Sequence, residues 1–160
     1  MAKIIVVGSS NTDMVVKTSR FPEPGETIIG GNFFMFPGGK GANQAVAAAR
    51  AGGEVTFICS VGDDLFGKNA LLGYEEEGID TSSAKIVKDS ASGVALITVN
   101  ESGENEIVVA SGTNALLSPI YVSEVMEEMG NDAFILTQLE IPLETISFLA
   151  RYSKLTNQSL

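Results

Sequence analysis

Histidine is absent from the 160-residue sequence, and there is a single cysteine, Cys59. The first absence excludes a Ser-His-Asp triad, a Cys-His pair, a histidine general base and any His-ligated metal site within these residues. The second excludes an intrachain disulfide and a cysteine cluster for zinc. Basic residues are scarce: 10 Lys+Arg stand against 20 Asp+Glu, a formal charge of −10. Such a balance does not suit nucleic acid or an anionic membrane surface, because binding phosphates needs a basic face. Long apolar runs are missing too. A membrane helix takes about 20 apolar residues, whereas the opening run Ile4–Val7 ends at Gly8. That run is also too short for a secretory signal. With no signal and one cysteine, the cytoplasm is the expected compartment. Hydrophobic residues at 44% and charged residues at 19% fit a folded chain, and the length fits one domain at most, or a piece of one.

Three apolar runs bounded by Gly, Asn or Asp predict buried strands at Ile4–Val7, Val55–Val61 and Ala133–Leu139. Each is apolar on both faces, as parallel strands covered by helices on both sides are. Helices are predicted at Asn43–Ala51, which is Ala-rich and stopped by Gly52-Gly53, at Asp64–Glu77, from Ser118-Pro119 to Met129, and from Pro142 through Tyr152. This alternation predicts an α/β three-layer sandwich with a mainly parallel central sheet. Two stretches break the rhythm, about 14–37 and about 93–111. They hold short β-like runs (Met14–Thr18, Thr27–Ile29, Phe33–Phe36, Val94–Val99, Glu106–Val109), the last two joined by a Gly-containing loop at Asn100–Glu104. Both are read as antiparallel strands that leave the α/β layer to form a small separate sheet. The chain stops at Leu160, just after a helix, where a strand is due. An unpaired apolar edge is normally avoided, so the chain is expected to be cut.

The most unusual local sequence is Gly38-Gly39-Lys40-Gly41-Ala42-Asn43. Three glycines around one lysine let the backbone approach a ligand, and the turn opens onto a helix N-terminus that attracts oxygen atoms or negative charge. It is neither a P-loop nor a dinucleotide fingerprint. The alternative is a structural turn with Lys40 on the surface. Asn11-Thr12-Asp13 follows the first strand, on the rim where ligands of open α/β sheets bind. An amide and a carboxylate two residues apart suit a polyol, and a plain polar turn is the alternative. Glu140, after the third strand, falls on the same rim. Read alone, it is a helix-start acid favoured by the macrodipole. Asp63-Asp64 have the chemistry to hold Mg²⁺, but capping of the following helix is the preferred reading. Cys59, in a buried strand, is read as inert packing.

Taken in order, these segments resemble the N-terminal half of the PfkB family of carbohydrate kinases. The match runs through Val6–Asp13, Phe21–Thr27, Gly38–Ala48, Gly62–Gly67, Gly93–Ile97, Asn100–Glu104 and Gln138–Pro142, and the GGKGANQA form of the glycine block points to the ribokinase branch. The resemblance implies a ribokinase-like fold and ATP-dependent phosphorylation of D-ribose to D-ribose 5-phosphate. Another sugar or nucleoside kinase of the family is the alternative, as is a natural half-length, non-catalytic sugar-binding module. It implies that Asn11, Asp13, Gly39, Lys40, Asn43 and Glu140 bind the sugar. The two β excursions would form a β lid over it, with Ala95, Ile97 and Val109 facing the sugar and a homodimer contact made through the lid. ATP, Mg²⁺ and a monovalent cation such as K⁺ are implied for the whole enzyme. The family's second signature, a D-T-x-G-A-G-D-like segment carrying the catalytic base, does not occur in these residues, and Gly112-Thr113-Asn114 is not that segment. No catalytic, nucleotide-binding or metal-binding residue is therefore expected here.

Overall fold

A computed structural model describes residues 2–160. Strands β1 (Lys3–Val7), β4 (Glu54–Ile58) and β9 (Phe134–Thr137) form a parallel sheet in the order β4-β1-β9. Helices α1 (Lys40–Arg50) and α2 (Leu65–Glu76) cover one face, and α3 (Pro119–Met129) and α4 (Leu143–Thr156) the other. The two-sided apolar runs explain this layering. On one side Ile5, Val7, Ile58 and Ile135 pack with Met126 and Leu149. On the other, Val6, Val55 and Phe57 pack with Ala42, Ala45 and Tyr74. Phe57 and Tyr74 meet edge to face with ring centroids 5.2 Å apart.

The helix starts follow local chemistry. Ser118 caps α3 by accepting from Tyr121 N at 3.3 Å, with Pro119 in the first turn. Asp64 caps α2 by accepting from Gly67 N at 2.8 Å, while Asp63 accepts from Asp89 N at 3.1 Å. Asp64 thus performs the capping expected of the acidic pair, whereas Asp63 caps no helix. Burial pushes the Cys59 thiol up to about 12, which keeps it protonated and unreactive.

A second sheet stands apart from the sandwich. It is built from β2 (Asn11–Lys17), β3 (Asn32–Gly38), β7 (Gly93–Val99) and β8 (Asn105–Ala110), in the order β3-β2-β7-β8. Four expectations need correction. The sheet is mixed: β2-β3 and β7-β8 are antiparallel hairpin-like pairs, but the central pair β2-β7 is parallel, because both strands leave the sandwich in the same direction. Residues 27–29 form no strand. The run Val55–Val61 is two strands. β1 turns away after Val7, so beyond Cys59 the chain has no partner there, and β5 (Ser60–Gly62) pairs instead with β6 (Lys85–Val87). The β9 ladder ends at Thr137, which places Glu140 in a turn rather than directly after the strand. A short 3-10 helix, Gly112–Leu116, went unanticipated.

Candidate sugar site at the junction of the two sheets

The chain passes from the parallel sheet into the second sheet at Ser9-Ser10, and returns from it at Gly38-Gly39. Ala42 N donates to Ser9 O at 2.9 Å, so α1 begins directly on this junction. A side chain at position 41 would collide with backbone, since a Cβ there would lie 2.5 Å from Ser9 N. Gly39 has φ +91°, a left-handed backbone that glycine adopts without strain. The glycines therefore serve close approach of helix to strand, and they leave Lys40 at the first helical position.

Glu140 reaches this helix start from the far side of the sheet. Its carboxylate accepts from Lys40 N at 2.9 Å and from Ser9 Oγ at 2.7 Å, and it pairs with the Lys40 ammonium. It is a helix-start acid, but for α1 rather than for α4, whose own first-turn acid is Glu144. Burial opposes its ionisation; the Lys40 ammonium, Lys40 N–H and Ser9 hydroxyl outweigh that and hold the carboxyl below its usual range.

Asn11 and Asp13 lie inside β2, not in a turn, and alternation puts both on the face turned towards this junction. The ladder register sets Phe36, Asp13, Ala95 and Val109 in one row across the sheet, with Phe34, Val15, Ile97 and Ile107 in the next row out. Burial raises the Asp13 carboxyl above its usual value; the Glu140 charge adds to this and the Lys40 charge opposes it. The two carboxylates thus share one electrostatic environment around a single cation. Asp13 also packs against Gly38, where a Cβ would fall 2.0 Å from its carboxylate oxygen.

An open cleft of about 420 Å³ lies between the sheets, lined among others by Asn11, Val109, Asn114, Leu139 and Glu140. The structure therefore gathers Asn11, Asp13, Gly39, Lys40, Glu140 and Val109 at one place, with Ala95 buried in the Asp13 row. Ile97 stands one row farther out. Asn43 lies on the first turn of α1, exposed, near Lys40 in sequence but outside the hydrogen-bonded cluster. Sequence reasoning missed Ser9 and Asn114. Asn114 is 1% exposed and bonds to Ser10 and Asn11. Its one signal was a glycine, Gly112, ahead of two polar residues between apolar stretches.

Residues 1–149 match the family described as pfkB family carbohydrate kinase. The chain belongs to the PfkB family of carbohydrate kinases. Among family relatives it is 42% identical over 151 residues to a ribokinase of Haemophilus influenzae, covering 94% of this chain and 49% of that protein. It is 38% identical over 151 residues to a deoxyribokinase of Salmonella typhi, covering 94% of this chain and 49% of that one. The solved Arabidopsis thaliana ribokinase complexed with ribose and ATP superposes with a TM-score of 0.87 at 30% identity, covering 99% of this chain and 52% of that structure. The chain thus spans about half the length of the PfkB relatives it matches.

Proposed function

We propose that this chain is the sugar-binding part of a ribokinase, which phosphorylates D-ribose to D-ribose 5-phosphate with ATP. The observation that carries the reading is the gathering of Asn11 and Asp13 on β2 with the Lys40–Glu140 pair, beside a cleft that Asn11 and Glu140 line. Carboxylates accept from sugar hydroxyls, amide and backbone N–H groups donate to them, and a polyol offers both capacities at each carbon. Gly39, Lys40 and Asn43 bind from the helix side, and Ala95, Ile97 and Val109 supply apolar cover. The second sheet, Asn11–Gly38 with Gly93–Ala110, acts as a lid. Phosphoryl transfer needs that closure, because water admitted to the site would take the phosphoryl group itself. In this reading the base that removes the hydroxyl proton, the ATP site with its Mg²⁺ and a monovalent-cation site for an ion such as K⁺ belong to the part of the relatives that this chain does not match. The enzyme works in the cytoplasm as a homodimer joined through the lids.

The half-length match favours a second reading, a sugar-binding module without turnover, which predicts ribose binding with no phosphorylation. Calorimetric titration with D-ribose, 2-deoxyribose, fructose and adenosine, run beside a phosphorylation assay, separates the readings. Ribose is expected to bind tightest, and a preference for fructose or adenosine overturns the ribokinase reading. Asp13→Ala is expected to weaken ribose at least tenfold, the scale of one lost charge-assisted hydrogen bond; wild-type affinity in that variant removes Asp13 from the site.

A further inference from the structure

Asn114 makes three hydrogen bonds from a position that is 1% exposed. Its Oδ1 accepts from Ser10 N at 2.9 Å, and its Nδ2 donates to Ser10 O at 3.1 Å and to Asn11 Oδ1 at 2.7 Å. The orientation of this amide is not a free choice. A backbone N–H can only donate and a backbone C=O can only accept, so Ser10 fixes which end of Asn114 is oxygen and which is nitrogen. Asn114 then presents a donor to Asn11, and Asn11 must turn its oxygen towards it. The Asn11 Nδ2 hydrogens are left over, and none of the described residues takes them.

The scaffold behind Asn114 is equally determined. Thr113 N donates to Ala91 O at 3.0 Å and Thr113 Oγ1 to Ser60 O at 2.9 Å, which anchors the 3-10 helix to the roots of β5 and β7. Gly93 leaves the room that the pair requires: a Cβ there would lie 2.1 Å from Asn11 Oδ1 and 2.3 Å from Asn114 Nδ2. Asp13, two residues along the same face of β2, offers only acceptors when ionised.

We propose that Asn114 is a positioning residue of the sugar site: it locks the Asn11 amide so that the cleft presents an N–H donor beside the Asp13 carboxylate. That order, donor next to acceptor, is read by a hydroxyl that accepts from Asn11 and donates to Asp13, or by two neighbouring hydroxyls of a sugar. The role rests on the sugar-site reading above, whereas the locked geometry does not.

The test uses side-chain amide spectra of the ¹⁵N-labelled protein, free and titrated with D-ribose. The Asn114 Nδ2 protons are expected to exchange with water about a hundredfold more slowly than those of exposed Asn43, as buried, bonded amides do. The Asn11 Nδ2 signal is expected to move on adding ribose, while Asn114 stays. Asn114→Ala is expected to raise the ribose Kd about tenfold, and Asn11→Ala added to it to cost little more, since both changes remove one coupled unit. Asn11→Asp keeps the acceptor for Asn114 and puts an oxygen where the N–H stood, so it is expected to lose ribose affinity. Fast exchange at Asn114, additive losses in the double variant, or full affinity in Asn11→Asp overturns the proposal. A titration in which no signal moves while Asn114 remains protected overturns the ribose reading and leaves the locked amide standing.

Discussion

At the scale of residues, the Lys40 ammonium acts on two carboxylates at once. It pairs with Glu140 and lowers it, and it opposes the rise of Asp13. Lys40→Met is therefore expected to raise both pKa values, whereas Glu140→Gln is expected to lower that of Asp13 by removing a like charge. Carboxyl ¹³C titration reads both directions, and an Asp13 value that falls in Lys40→Met contradicts the arrangement. The linked effects on stability have opposite signs. The native pKa of Glu140 is lowered, so its contribution is present above the unfolded value and is lost as pH falls through the native one. The native pKa of Asp13 is raised, so its cost is absent in acid, grows as pH rises past the unfolded value and is complete above the native one. Asn11, Asp13 and Lys40 were legible in the sequence because each stands in a polar or glycine-rich break after or between apolar runs. Ser9 and Asn114 were not, since their partners lie far along the chain.

At the scale of elements, Asp64 joins a helix to the root of a strand. Its carboxylate caps α2 through Gly67 N and also accepts from Ser92 N at 2.8 Å and Ser92 Oγ at 2.7 Å, just before β7 enters the second sheet. The Ser92 hydroxyl in turn accepts from Gly62 N at 2.9 Å. Asp64→Ala is expected to cost about 1–2 kcal/mol, the loss of an N-cap plus hydrogen bonds left without an acceptor. Urea unfolding measures it, and a change within ±0.5 kcal/mol, the usual range for surface substitutions, would show that the cap does not tie these elements. The Gly62-Asp63-Asp64 segment read correctly as a helix start, because capping is local. The tie to Ser92 is a tertiary contact with no local mark.

At the scale of the whole molecule, both faces of the second sheet carry exposed apolar side chains. On the inner face Asn11 and Val109 line the cleft. The outer row Met35, Met14, Leu96 and Val108 lies in register on the opposite face, with Leu96 at 55% and Val108 at 68% exposure, and Phe33 one row away at 60%. Contiguous apolar side chains on one face of a sheet mark a surface that is covered in the working protein. In the homodimer proposed above, a second copy would cover this face through two-fold symmetry. Sedimentation is expected to show a dimer that Leu96→Asp with Val108→Asp dissociates to monomers without loss of helical signal; a monomeric wild type overturns the homodimer.

The sequence alone determined which segments are two-sided buried strands and where helices begin at Ser118-Pro119 and Asp64. These are consequences of period and capping, carried by neighbours in the chain, whereas the crowding that demands glycine at 41 comes from Gly8 and Ser9, more than thirty positions away. Only the tertiary structure decided that β2 and β7 pair in parallel, that the run through Cys59 divides between two sheets, and that Glu140 serves α1. Strand pairing depends on which backbone groups remain unpaired once other segments have packed. Lys40 N and Glu140 are separated by 100 positions, and Ser10 and Asn114 by 104. A polar residue whose partner is that remote carries the same composition as a solvated one, so its role becomes visible only when folding brings the two ends of the bond together.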